Sequence, residues 1–222
     1  MRSGESTSAA GARSARTRAR FIAAAERLFA EHGVNGVSLS EITLAAGQKN
    51  RSALQYHFGN RDGLLQAIID THAEAVNALR RDYMNGPALR DCAPAKAAAR
   101  GLIVPLARYI IARPAGAHYV KILSQLAATN SPLVNPATRS GINFQDEAQL
   151  HATMRAALSH LNREEAQRRL FVAISLSFHG LADVCRVHAA PDIAAALTER
   201  DALFKQLALA VETLLSAPAV EA

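Results

Sequence analysis

The chain contains no tryptophan, and aromatic residues make up only 5% of it. Cys92 and Cys185 are its only cysteines, too few for a disulfide framework or a cysteine-rich zinc site. The longest apolar run, Gly101 to Ala107, falls far short of the roughly 18 residues of a membrane span. Arginines near the N-terminus are not followed by the apolar stretch of a secretory signal. These absences predict a cytoplasmic protein without membrane association. β-Branched residues are also sparse, while Ala, Leu and Arg dominate, which favours helix over strand. The sequence shows no strand-like alternation, no internal repeat, no paired nucleophile and base, no phosphate loop and no metal-ligand spacing. An all-α protein that is not an enzyme is expected, with no cofactor and no metal.

Positive charge is present and is unevenly placed. The formal charge is +6, and residues 1–61 hold 9 Lys/Arg against 4 Asp/Glu, while residues 62–222 hold 16 against 15. A basic end points to a polyanion, with nucleic acid ahead of membrane. A solubilising tail would give the same asymmetry.

Hydrophobic spacing divides the chain. Residues 1–15, rich in Ser, Ala, Gly and Arg, read as a disordered basic arm. Residues 16–68 read as a first helical domain, 69–216 as a second, and 217–222 as a frayed tail. Phe21, Ile22, Ala25, Leu28 and Phe29 recur at helical spacing, and Gly33 is placed to end that helix. Ser38-Leu39-Ser40-Glu41 fits a capping box that starts a short second helix at about Leu39. A third runs from about Arg51 to Phe58, and a long fourth from Arg61 to about Met84. Further helices are expected at about 94–112, 116–129, 143–160, 163–189 and 192–216, with a long loop over 129–141. Pro105 either kinks the fifth helix or starts a new one.

Two short helices joined by a glycine-containing turn fit a helix-turn-helix. Ile42, Ala45, Ala46, Ala53 and Leu54 are candidates for its small core. Polar residues gather at the turn and the third helix: Gln48, Lys49, Asn50, Arg51, Ser52 and Gln55. Residues that open a recognition helix reach base edges, where Arg suits guanine and Asn or Gln suits adenine. That singles out Asn50, Arg51 and Ser52. Ser38, Ser40, Tyr56, His57 and Arg61 suit phosphates, which fix register without reading sequence. Arg13, Arg16, Arg18 and Arg20 are available for further phosphate or minor-groove contacts. The plainer alternative is a solvated polar turn between packed helices.

The segments Ala24 to Gly33, Val37 to Ile42, Ala45-Ala46-Gly47, Leu54 to Phe58 and Arg61 to Leu65 together resemble the DNA-binding domain of the tetracycline-repressor (TetR) family. The resemblance covers roughly a quarter of the chain. It implies that Ser38 or Ser40 touches a phosphate at the start of the second helix, that His57 lies near the DNA backbone, and that Arg61 grips a phosphate. Two features depart from the family pattern. The stretch from Gly47 to His57 is one residue longer, and Gln55 stands where a phosphate-binding tyrosine is usual, with Tyr56 next to it.

For the C-terminal part the resemblance implies an all-helical domain with a small-molecule cavity and a four-helix dimer interface. The sequence adds an independent argument for the interface. Leu170, Phe171, Ile174, Phe178, Leu181 and Cys185 line more than one face of the 163–189 helix. Leu197, Leu203, Phe204, Leu207, Val211 and Leu214 do the same for the 192–216 helix. A helix apolar on several faces is buried on several sides, in a homodimer or within one large monomer. Candidates for the pocket are Tyr109, His118, Tyr119, Phe144, His151, Met154, Phe178, His179 and Asp183, aromatic or polar groups on otherwise apolar helices. His179 and Asp183, four residues apart, are placed to hydrogen-bond each other.

The expectation is a homodimeric regulator of transcription that binds double-stranded DNA at a palindromic operator. It would act as a repressor released by a small-molecule effector. An activator, a regulator without a ligand, and a sequence-independent architectural DNA binder are the alternatives.

Overall fold

The computed structural model describes the backbone of residues 3–129, 148–190 and 194–220, and side chains over 11–50, 52–127, 148–190 and 194–220. Among the described residues every regular element is helical. The chain forms two compact units, one of Met1–Thr71 and one of the described residues from His72 onward.

The first unit contains α1 (Ser3–His32), α2 (Leu39–Ala45), α3 (Arg51–Phe58) and the first turns of α4 (Arg61–Asn85). α1 packs on α2 and α3, and α2 packs on α3. Phe21, Ala25 and Phe29, four residues apart on α1, are fully buried, as are Ile42, Leu54, Leu64 and Ile68. The rings of Phe21 and Phe58 meet edge to face at 6.0 Å. Burying each large side chain contributes roughly 1.5–3 kcal/mol. α2 and α3 need that packing, because helices this short are not stable alone. α1 ends at Gly33, whose φ of 90° lies where a side chain would be strained. The Gly33 N–H donates to Phe29 O at 3.1 Å.

Three expectations for this unit change. Residues 3–15, read as a disordered arm, continue α1. No proline interrupts them, alanine and arginine favour helix, and extending a packed helix avoids the cost of nucleation. Ala45 is exposed and not in the core, whereas Thr43 is buried. Its hydroxyl donates to Leu39 O at 2.7 Å, which satisfies it inside the helix. The expected boundary after residue 68 falls inside α4, ahead of the division at Thr71.

The second unit contains the rest of α4, a 3-10 turn (Pro87–Leu89), α5 (Pro94–Ala112), α6 (Pro114–Thr129), α7 (Ala148–Ala157), α8 (Arg163–His188), a second 3-10 turn (Ala195–Leu197) and α9 (Arg200–Ser216). α5 is central and packs against α6, α7, α8 and α9. α6 and α9 also pack on α8. Pro105 lies inside α5 without ending it. A proline there has no N–H for the carbonyl four residues back, which is that of Gly101. The buried Arg80 of α4 donates its Nε–H to that carbonyl at 3.4 Å, and its Nη1 donates to Asn77 Oδ1 at 3.0 Å. A Cβ on Gly101 would lie 3.2 Å from Met84 Sδ, so the missing side chain lets α4 approach this point of α5.

α8 is long and apolar enough by composition to cross a membrane, with a mean hydropathy of 1.5 over 18 residues. Run length misses this because Ser, His and Gly interrupt the apolar positions. Its buried stripe is not its greasiest one: Glu165, Arg169, Ala173, Ser177 and Leu181 point inward. Phe171, Ile174 and Phe178 are half-buried, and Val172 and Leu176 are exposed. The inward charges are paired, with Arg169 Nη2 donating to Glu165 Oε1 at 2.9 Å.

The expected 143–160 helix is Ala148–Ala157, and residues 143–147 lie outside the described residues, as does the expected loop beyond Thr129. The expected 192–216 helix begins at Arg200. Thr198 closes the preceding turn by donating to Ala195 O at 2.6 Å. The tail expected to fray from residue 217 is tied at its start. Arg169 donates to the carbonyls of Leu214 (3.3 Å), Ala217 and Pro218 (2.8 Å), and His160 Nε2 donates to Ala217 O at 2.9 Å.

Candidate nucleic-acid interface

The entry to α2 is a complete capping box. Glu41 N donates to Ser38 Oγ at 3.2 Å, and Ser38 N donates to Glu41 Oε2 at 2.7 Å. Hydrogen bonds from Ser38, its hydroxyl first and its backbone second, hold the Glu41 carboxyl below the usual carboxylate range. Ser38 is thus committed to Glu41, and Ser40 is the exposed hydroxyl on α2.

The turn to α3 is tight. Gly47 has φ 69°, and Gln48 N returns to Thr43 O at 3.0 Å. Asn50 caps α3, its Oδ1 accepting from Ser52 N at 2.8 Å. The residue read from sequence as a base reader therefore also holds the helix start, and its Nδ2 group keeps its donors for a partner. Arg51 is the first residue of α3. Lys49, Asn50, Ser52, Gln55 and Tyr56 are exposed, and Gln48 is half-buried. Tyr56 is 83% exposed, so most of its ring faces outward. His57 is half-buried against Tyr56 and Phe21, with ring centroids at 5.2 and 6.2 Å.

Arg61, for which the resemblance implies a phosphate grip, holds main-chain carbonyls of its own unit. It is half-buried, and its guanidinium donates to Val34 O and, at 2.7 Å, to Val37 O. The same group lies 5.6 Å from the centroid of the Phe29 ring. Arg13, Arg16, Arg18 and Arg20 are all exposed on α1, and Arg18 also covers the Phe58 ring at 5.3 Å.

In the second unit the structure unites only part of the predicted pocket. Tyr109 and Tyr119 are buried and meet edge to face at 6.3 Å. Between them sits His72, which sequence reasoning passed over. Its ring stacks on Tyr119 at 4.5 Å, and its Nδ1 lies 2.6 Å from the Tyr109 hydroxyl. The signal was available: Ile68, His72 and Val76 are four residues apart on one stripe of α4, and all three are buried. Met154 is buried, while His118 and Phe178 are half-buried. His151, His179 and Asp183 are exposed, and Asp183 pairs with Arg186 rather than His179. Phe144 lies outside the described residues. A separate groove of about 590 Å³ is lined by α4, α5 and α9, including Tyr83, Arg100, Val104, Phe204 and Lys205. None of the pocket candidates lines it.

Residues 21–68 match the family model described as bacterial regulatory proteins, tetR family. Over 65 residues the chain is 42% identical to the HTH-type transcriptional regulator TtgR of Pseudomonas putida. It is equally identical to the "Probable HTH-type transcriptional regulator ArpR" of the same species. The stretch is 29% of this chain and 30% of each relative, so the match spans under a third of their length. A crystal structure of a gamma-butyrolactone receptor (ArpA-like protein) is similar at 21% identity and a TM-score of 0.45, covering 90% of this chain and 98% of that one.

Proposed function

We propose, from a first unit that belongs to the tetR family of bacterial regulatory proteins, that this chain is a repressor released from a palindromic operator by a small molecule. One observation carries the DNA-binding part. Two capped short helices present Lys49, Asn50, Ser52, Gln55 and Tyr56 together in exposed positions. In this reading α3 enters the major groove. Asn50, Arg51, Ser52 and Gln55 read base edges. Ser40, Lys49, Tyr56 and His57 hold phosphates, and Gln48 and Ser38 support the turn and the helix start.

The functional unit in this reading is a homodimer through α8 and α9. The exposed Val172 and Leu176, four residues apart on α8, support it, because an apolar stripe of this kind is stabilised by a matching partner. Val172→Asp with Leu176→Asp is expected to yield a folded monomer in sedimentation. A dimer that survives both would move the interface elsewhere. The effector would bind near Tyr109, Tyr119 and His72. It would weaken DNA binding by its higher affinity for a state with the reading helices at the wrong separation.

The test is a titration of the protein against the DNA upstream of its own gene, with a scrambled duplex of equal length, at near-physiological salt. Binding about 1000-fold tighter than to the scramble, with a palindromic footprint, is the expected result. Equal affinity for both duplexes would favour an architectural binder.

A further inference from the structure

We infer that Arg61 is a positioning residue for the DNA-binding helices. The inference rests on the DNA-binding reading above. Arg61 opens α4, and its fork spans two main-chain carbonyls of the turn between α1 and α2, those of Val34 and Val37. The side chains of Val34 and Val37 are buried, so this turn is anchored by its side chains below and by the fork at its carbonyls. Phe29 lies against the guanidinium at 5.6 Å, which completes a three-sided seat.

Val37 immediately precedes Ser38, the cap of α2. Fixing the Val37 carbonyl therefore fixes the point at which the chain enters α2, and with it the helix on which α3 packs. The chemistry is specific to arginine. A planar guanidinium donates along two fixed directions at once, whereas an ammonium acts as a compact point charge. The two inward bonds use two of the five N–H donors of the head group, one from each terminal nitrogen.

Comparison of Arg61→Lys with Arg61→Ala separates the two roles, because lysine keeps the charge and loses the fork. The upstream duplex is titrated with each protein across a range of salt, and amide hydrogen exchange over residues 33–41 is followed in the proteins without DNA. The positioning role predicts that Arg61→Lys and Arg61→Ala both bind about tenfold more weakly, and that both exchange faster over 33–41. Wild-type affinity in Arg61→Lys, with a salt slope lowered by about one charge in Arg61→Ala, would overturn it and leave charge as the contribution of Arg61. Unchanged exchange in Arg61→Lys would overturn it whatever the DNA result, and that arm also stands if no duplex is bound. Should Arg61→Ala unfold the first unit, Arg61→Gln replaces it in both arms.

Discussion

Both units cap helices with near neighbours, and they differ in how far their arginines reach along the chain. In the first, Ser38 with Glu41 and Asn50 with Ser52 close their hydrogen bonds within three residues; Arg61, reaching back to Val34 and Val37, is the exception. In the second, Arg80 serves a carbonyl on another helix, and Arg169 reaches 45–49 residues along the chain to gather the end of α9. The first unit's caps mostly stabilise one helix at a time. The second unit's arginines tie helices to one another, so their loss is felt throughout the core.

The largest effect that would sharpen this contrast is at Arg169. Arg169→Ala takes a donor from Glu165, which keeps Arg168, and from three carbonyls, of which that of Ala217 keeps His160, and is expected to cost about 3 kcal/mol in urea denaturation. A loss below about 1 kcal/mol would show that water replaces the staple readily. Next is the link between Arg80 and Pro105. Arg80→Met is expected to destabilise the protein, and to do so less in a Pro105→Ala background, where the restored N–H serves Gly101 O. The double-mutant cycle should give a coupling of about 1 kcal/mol, and strict additivity would remove Pro105 from the account.

A cap should cost less. Asn50→Ala is expected to lose about 1 kcal/mol of stability. Asn50→Asp keeps the accepting oxygen and should melt as the wild type does while binding DNA more weakly, since it loses the amide donors and gains a like charge. Equal DNA binding by Asn50→Asp would reduce Asn50 to a cap. The smallest effect is on pH dependence. Hydrogen bonding to Arg169 first, and to Arg168 as well, holds the Glu165 carboxyl below the usual range. A carboxyl lowered in the folded state stabilises above its ordinary value near 4.3. That contribution is lost as pH falls through the lowered value. Glu165→Gln should therefore flatten the decline in stability as pH falls below the ordinary carboxylate value, and an unchanged decline would assign acid unfolding to other groups.

The same difference in reach explains what could be read in advance. The capping box, the glycine ends and the α3 limits depend on neighbours three or four residues apart, and their spacing states them directly. Asn50 was legible as a polar residue at the front of α3 but not as its cap, because an amide suits both tasks. The reach of Arg61 to Val34 and Val37 was not legible, because its partners, 24 and 27 residues back, are carbonyls, which carry no residue-type signal. His72 had a signal in its four-residue spacing from Ile68 and Val76, and was passed over because a lone histidine on an apolar stripe resembles ordinary core. On α8 the apolar residues were visible, but the buried stripe runs through Ala173 and Ser177. Composition identified a buried helix without identifying which side faces inward.

The Arg169 staple also changes what the residues after α9 can tolerate. A chain stopped after Ser216 would keep every residue of α9 yet leave a buried cation facing two missing carbonyls. Proteolytic trimming back to that point would then act as a core lesion, and a fusion partner is best joined after Pro218. Ala217 and Pro218 are structural parts of the second unit, held under the same physical constraint as residues in its core.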